Sequence, residues 1–128
     1  MQTIATPAST CVFCAIVAGR VPVSVVRAWD DVIAILPLLP VVPGHILVIP
    51  HAHVADVRVA PTVSARAMTC AAELTAELPA ANVITSKGSA ATQSVFHLHI
   101  HVVPRHAADA LPLPWTPQQA AQRGGTDD

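Results

Sequence analysis

From Val95 to Val103 the chain changes character at almost every residue: His97, His99 and His101 stand at alternate positions, with Leu98, Ile100 and Val102 between and after them. A period of two belongs to an extended strand, whose successive side chains point to opposite faces. The alternation therefore predicts a strand from Ser94 to Pro104 with Phe96, Leu98, Ile100 and Val102 against a core. Val95 and Val103 extend the face that carries the histidines. One such histidine would read as part of a polar, half-exposed face. Three in a row, in a chain that has seven and places others at His45, His51 and His53, point to chemistry instead.

One metal ion does not easily take all three, because the outer pair lies about 13 Å apart on a regular strand while neighbours lie about 7 Å apart. A better marker for a metal is Cys11 and Cys14, spaced C-x-x-C, since structural zinc favours four thiolate or imidazole ligands in a tetrahedron. Two further ligands are needed, and His97 with His53 or His51 are the candidates. Cys70 falls within an apolar helical stripe and reads as core. If His97 goes to a metal, His99 and His101 remain for catalysis. A neutral imidazole is a good nucleophile and, once phosphorylated, a good leaving group, so it divides a phosphoryl substitution into two easier steps. A second histidine two positions on can donate to the phosphoryl oxygens or to the leaving group. Gln93 and Ser94 add an amide and a hydroxyl just upstream, and the loop "KGSAATQ" adds backbone donors for a phosphate.

The rest of the chain supplies a frame for that segment. At 128 residues with 52% hydrophobic content it predicts one domain, expected over residues 11–106 between a frayed arm (1–10) and a tail (107–128) rich in Ala, Pro, Gln and Gly. "CVFCAIVAGR" suits a short helix closed by Gly19, "VPVSVVRAW" and "VIAIL" two strands joined at Asp30–Asp31, and "HILVIP" a strand ended by Pro50. Pro37, Pro40 and Pro43 predict an ordered loop. Between Pro61 and Pro79, Val63, Ala67, Cys70, Ala71, Leu74 and Leu78 form a helical stripe, and "NVITS" makes another strand. The order predicts an α+β domain with a largely antiparallel sheet of about five strands and two helices. Seven basic against eight acidic residues leave no basic face for nucleic acid or an anionic membrane. The sequence has neither a leader pattern nor an apolar run long enough to span a bilayer, so the expected location is the cytoplasm.

The segment His97-Leu98-His99-Ile100-His101-Val102-Val103, with "GHILVIP" about fifty residues before it and "ATQSV" directly before it, resembles the signature of the histidine triad (HIT) superfamily. The similarity runs from Cys11 to about Arg105. This resemblance implies a small α+β domain that pairs into a homodimer through a continuous sheet, and an enzyme of nucleotidyl hydrolase or transferase type. It also implies attack by His99 on the α-phosphate of a nucleotide substrate, giving a nucleotidyl-histidine that water hydrolyses. His101, Gln93 and Ser94 match positions that contact the phosphates, and His45 matches a fourth, supporting histidine. Members with C-x-x-C are similar in binding zinc, here through Cys11, Cys14, His53 and His97, which selects His53 over His51. Three positions depart from the family pattern: Pro37 replaces an acidic residue for the ribose hydroxyls, Ser86 an asparagine, and Thr92 a glycine.

The leading expectation is a zinc-containing, homodimeric hydrolase of nucleoside phosphoramidates or related nucleotide conjugates. A dinucleoside polyphosphate hydrolase or phosphorylase is the alternative within the enzyme class, suggested by "VVPR" after the triad. A non-catalytic nucleotide-binding adaptor is favoured by loss of the ribose contact and opposed by retention of His45, His97, His99 and His101.

Overall fold

A computed structural model describes residues 8–116; the rest of the expected arm and tail, 1–7 and 117–128, lies outside the described residues. Helix α1 (Val12–Val17) is followed by strands β1 (Val25–Ala28), β2 (Val32–Ile35) and β3 (Ile46–Pro50), then helix α2 (Pro61–Leu74), strand β4 (Ala81–Ile84) and strand β5 (Ile100–Pro104). The five strands form one sheet in the order β1-β2-β3-β5-β4, with every pairing antiparallel. The expected α+β class and strand number are therefore found.

Period-two alternation splits the core into two layers. Val32, Ala34, Val48, Leu98, Ile100 and Val102 face α2, meeting its Ala67, Cys70 and Ala71. The opposite sheet face presents Ile35, Leu47 and Ile49 to Cys11, Phe13 and Ile16 of the α1 segment. Fully burying an aliphatic side chain such as Ile49, Leu98 or Ile100 contributes about 1.5–3 kcal/mol, so both layers hold the sheet. Small residues along α2 let the helix sit close to the strands, and Pro61 at its start costs no helical hydrogen bond.

Three boundaries differ from the sequence expectation. β1 covers only Val25–Ala28, an exposed edge paired on one side, with a register shift between Val25 and Arg27. Helix α2 stops at Leu74, where Thr75 turns its Oγ1 and its N–H onto the Ala72 carbonyl, so Leu78 packs on the core from a turn beyond the helix. The β5 ladder begins at Ile100 and not at Ser94, because the Leu98 N–H leaves the sheet to bond the Val54 carbonyl at 2.7 Å. That departure carries His97 away from the strand.

Two glycines have positive φ where the fold needs them. Gly19 (φ 77°) closes α1 with N–H bonds from Gly19 to Ile16 O and from Arg20 to Ala15 O, a Schellman end. Gly44 (φ 88°) lies where a Cβ would stand 3.2 Å from Cγ of Pro104, and it leads directly into His45.

Candidate active site

β5 and the segment entering it present His99 and His101 to a cavity also lined by Phe13 and Ile16 of α1, and β3 pairs Leu47 with His101, so that His45, two residues before Leu47, lies beside it. His99 Nδ1 lies 2.8 Å from the carbonyl of His97. A carbonyl only accepts, so Nδ1 carries the proton and Nε2 keeps its lone pair. The ring stands edge-on to Phe13, centroids 5.0 Å apart at 76°, and burial holds its pKa below the ordinary imidazole range.

His101 has the opposite tautomer. The Val41 N–H donates to His45 Nδ1 at 3.1 Å, so the proton of neutral His45 is on Nε2. That nitrogen is 2.9 Å from His101 Nδ1, which therefore accepts, leaving an N–H on His101 Nε2. Burial lowers the pKa of His45 and, with the charges of His99 and His45 as smaller causes, that of His101 to about 4. At neutral pH the site thus holds a bare imidazole nitrogen on His99 and an imidazole N–H on His101, in rings 5.3 Å apart. A nucleophile and a hydrogen-bond donor are what phosphoryl substitution requires.

Gln93 is buried and its amide is spent on backbone: it accepts from the Gly88 N–H at 2.8 Å and donates to the carbonyls of Ala55 and Val95 at 2.7 and 3.1 Å. It therefore ties the "KGSAATQ" loop to the segment after His53. Ser94 is exposed and lines a cavity of about 460 Å³ together with His45, His99 and His101. A second cavity, of about 370 Å³, shares His45 and His101 and is walled by β4, β5 and Leu111–Leu113. Pro37 lines the first, and Ser86 and Thr92 line the second, so all three departures from the family pattern fall at the site. Thr92 has φ 71°, a left-handed conformation unusual for a β-branched residue.

Two residues before His99, His97 is fully buried, its ring edge-on to the same Phe13. Its Nε2–H donates to the Pro50 carbonyl at 2.8 Å, which leaves Nδ1 as a ligand atom. Around it stand Cys11 Sγ at 3.4 Å, Cys14 Sγ at 3.5 Å and His53 Nδ1 at 3.2 Å, with Cys14 Sγ and His53 Nδ1 3.2 Å apart. Tetrahedral zinc needs S···N edges of about 3.6 Å and N···N edges of about 3.3 Å. The donor set fits such an ion, with all four ligand atoms within 4.8 Å of one another. Burial and the neighbouring Cys11 thiol push Cys14 up to about 11, a cost that a divalent cation would reverse by binding the thiolate. His51 is exposed and stands outside the cluster.

Sequence reasoning missed four contributors: the Val41 N–H, the carbonyls of Pro50 and His97, and the ring of Phe13, which touches both His97 and His99. Only Phe13 had a legible signal, as the aromatic residue inside C-x-x-C. Arg105, the last residue of "VVPR", has a structural role that this motif does not announce. It bonds Asp109, Asn82 and the Leu111 carbonyl, and so holds the segment that walls the second cavity.

A sheet flanked by α1 and α2, carrying alternating histidines beside a Cys-x-x-Cys cluster, defines a histidine triad protein. Residues 18–108 match the HIT domain model, and the chain belongs to the HIT family. It is similar to an HIT-like protein of Mycobacterium tuberculosis, 37% identical over 110 residues that cover 79% of this chain and 75% of the relative. An adenylylsulfatase of Arabidopsis thaliana is 32% identical over 108 residues, covering 79% of this chain and 55% of that enzyme, so the family includes hydrolases. Among solved structures, a zinc-bound histidine triad family protein of Mycobacterium smegmatis superposes with a TM-score of 0.71 at 33% identity, covering 90% of this chain and 88% of that one. Among the described residues no helix is long and apolar enough to cross a membrane.

Proposed function

We propose that the protein is a homodimeric, zinc-stabilised hydrolase that cleaves nucleotide conjugates, nucleoside phosphoramidates or related compounds, at the α-phosphate through a covalent intermediate on His99. The observation that carries this reading is the pair of complementary tautomers, Nε2 bare on His99 and protonated on His101. His99 Nε2 attacks phosphorus as the P–N bond breaks, and the departing amine leaves with the electron pair and takes a proton from solvent. His101 donates a hydrogen bond to the phosphoryl oxygen as its charge grows, and the Ser94 hydroxyl belongs to a residue lining the same cavity. Water then attacks phosphorus, the N–P bond returns its electron pair to Nε2, and the released proton passes to solvent. Quenching in alkaline denaturant during turnover of a nucleoside phosphoramidate, which preserves the N–P bond, should trap a nucleotidyl group that maps to His99; an adduct elsewhere, or turnover without one, would remove the covalent step.

Zinc held by Cys11, Cys14, His53 and His97 would join α1 to the segment entering β5 and contribute to folding. Its known presence in the similar Mycobacterium smegmatis protein supports this reading. The three free thiols suit a reducing cytoplasm. A second copy would cover β4, a sheet edge whose Val83 and Ile84 are 36% and 38% exposed. Sedimentation at micromolar concentration is expected to give twice the monomer mass, and a clean monomer would exclude the shared sheet.

A further inference from the structure

His99 stands just before the sheet begins. The ladder of β5 with β3 reaches back to Ile100 and the ladder with β4 only to His101, so His99 lies outside both. The peptide planes on either side of it are held by other bonds. The Leu98 N–H donates to the Val54 carbonyl at 2.7 Å, and because a peptide is planar the same bond sets the direction of the His97 carbonyl, which takes His99 Nδ1–H at 2.8 Å. On the far side, the Thr85 hydroxyl donates to the carbonyl of His99 itself at 2.8 Å.

Thr85 follows directly on β4, whose last residue, Ile84, is opposite His101. One residue past that strand, its side chain gives the His99 carbonyl the partner that a ladder gives the residues after it. A β-branched side chain is stiff about χ1, so the hydroxyl is held in place with little freedom to lose. Of the three hydrogen bonds that bracket His99, this is the only one that a substitution outside His99 can delete. A hydroxyl on a carbonyl at a strand end also stabilises a fold, but the peptide held here links the Cα of His99 to the first residue of β5. Freedom in that plane becomes freedom in where the Cα carries the ring.

We infer that Thr85 is a positioning residue for the reaction: its hydroxyl fixes the peptide after His99 and so holds Nε2 in line for attack on phosphorus. The inference rests on the hydrolase reading for the identity of the nucleophile. Thr85 is not among the described residues that line the two cavities at the site, and it acts only through the His99 carbonyl. A misplacement of about 1 Å at a reacting group costs roughly a hundredfold in rate, and loss of one of three restraints costs a part of that, about tenfold.

Steady-state kinetics of the full chain with a nucleoside phosphoramidate test this on Thr85→Val, which keeps the branched shape, and on Thr85→Ser, which keeps the hydroxyl. In Thr85→Val kcat should fall about tenfold with KM held within about threefold, and Thr85→Ser should restore kcat to within about twofold of the unmodified protein. Thr69→Val removes a hydroxyl-to-carbonyl bond of 2.9 Å on α2, far from His99 in the chain, and should leave kcat unchanged. Unaltered kcat in Thr85→Val, or no rescue by serine, would overturn the inference. Heteronuclear spectra of protein carrying isotopically labelled histidine nitrogens, with His99 assigned through His99→Gln, supply a readout without turnover. They should show His99 as the Nδ1–H tautomer alone in the unmodified protein and in Thr85→Ser, and as a mixture of tautomers in Thr85→Val. If the substrate labels His99 and Thr85→Val turns over normally, the inference fails and the hydrolase reading survives. If no phosphoramidate is turned over, the hydrolase reading fails and the spectra decide: a mixture in Thr85→Val upholds the grip of Thr85 on the His99 ring, and a single tautomer overturns it.

Discussion

His97 and His99 are two residues apart and rest against the same phenyl ring, yet they end in different chemistry. At His97 the Pro50 carbonyl takes Nε2–H, and Nδ1 turns to two thiols and a second imidazole. At His99 the His97 carbonyl takes Nδ1–H, and Nε2 is left bare on a ring that lines the cavity. The role of each histidine is set by which nitrogen a fixed carbonyl occupies. The two ends are also joined, because the peptide that holds His99 Nδ1 belongs to a residue of the Cys/His cluster.

The largest expected effect is at His99, the proposed nucleophile. His99→Ala should reduce turnover to background while zinc content and thermal midpoint hold, since Leu98 and Ile100 still pack beneath α2. Comparing kcat with metal analysis on one preparation checks this. Persistent turnover would move the nucleophile elsewhere and dissolve the contrast with His97.

Next is the donor. His101→Ala should lower kcat by about 10²–10⁴, with the His99 adduct still trappable. Burial lowers the pKa of His45, His99 and His101 alike, so the acid limb of kcat should fall below the ordinary imidazole value of about 6.5. The same shifts make the folded state the weaker proton binder. Their contribution to stability is therefore complete above about pH 6.5 and is lost as pH falls through the folded values, about 4 for His101. A kcat profile with its acid limb above pH 7 would mean that these rings are not the neutral groups described.

Much of this was legible in the residues, and the reason is periodicity. Leu98, Ile100 and Val102 announce a buried face because a strand repeats every two residues, and Val63, Ala67, Cys70 and Ala71 announce α2 in the same way. What was not legible comes from groups without a side-chain signature. The Val41 N–H and the Pro50 and His97 carbonyls are backbone atoms, and they choose the tautomers. The start of β5 was misplaced for a related reason: the pull of the Val54 carbonyl on Leu98 N–H arises forty-four residues away. Local pattern predicts faces, and tertiary backbone contacts decide where a strand begins.

At the metal end, Cys14→Ser should bring bound zinc below about a tenth of an equivalent and lower the thermal midpoint by about 10 °C. Because the His97 peptide orients His99, turnover below the new midpoint should fall by about tenfold, far less than for His99→Ala. Metal analysis beside a thermal melt reads both. Full zinc retention would show that the cluster does not need this thiol, and unaltered kcat without zinc would show that the two ends are uncoupled.

The smallest effect concerns Thr92, which lines the second cavity, one that His97 and His99 do not line. Its φ of 71° puts a β-branched side chain in the left-handed region, which costs an L-residue roughly 1–2 kcal/mol. Glycine removes that strain but loses more backbone freedom on folding, about 0.5–1 kcal/mol. The balance favours Thr92→Gly by somewhat less than about 1 kcal/mol, a rise of about 2–4 °C in the thermal midpoint. Zinc content should not change, because Gln93 makes its own bonds to Gly88, Ala55 and Val95 and continues to tie this loop to the segment after His53. A midpoint that falls instead would mean that the threonine side chain stabilises the loop by more than its backbone strain costs. Zinc lost on this substitution would show that strain at the catalytic rim is transmitted through Gln93 to the Cys/His cluster, and the two ends would then form one cooperative unit.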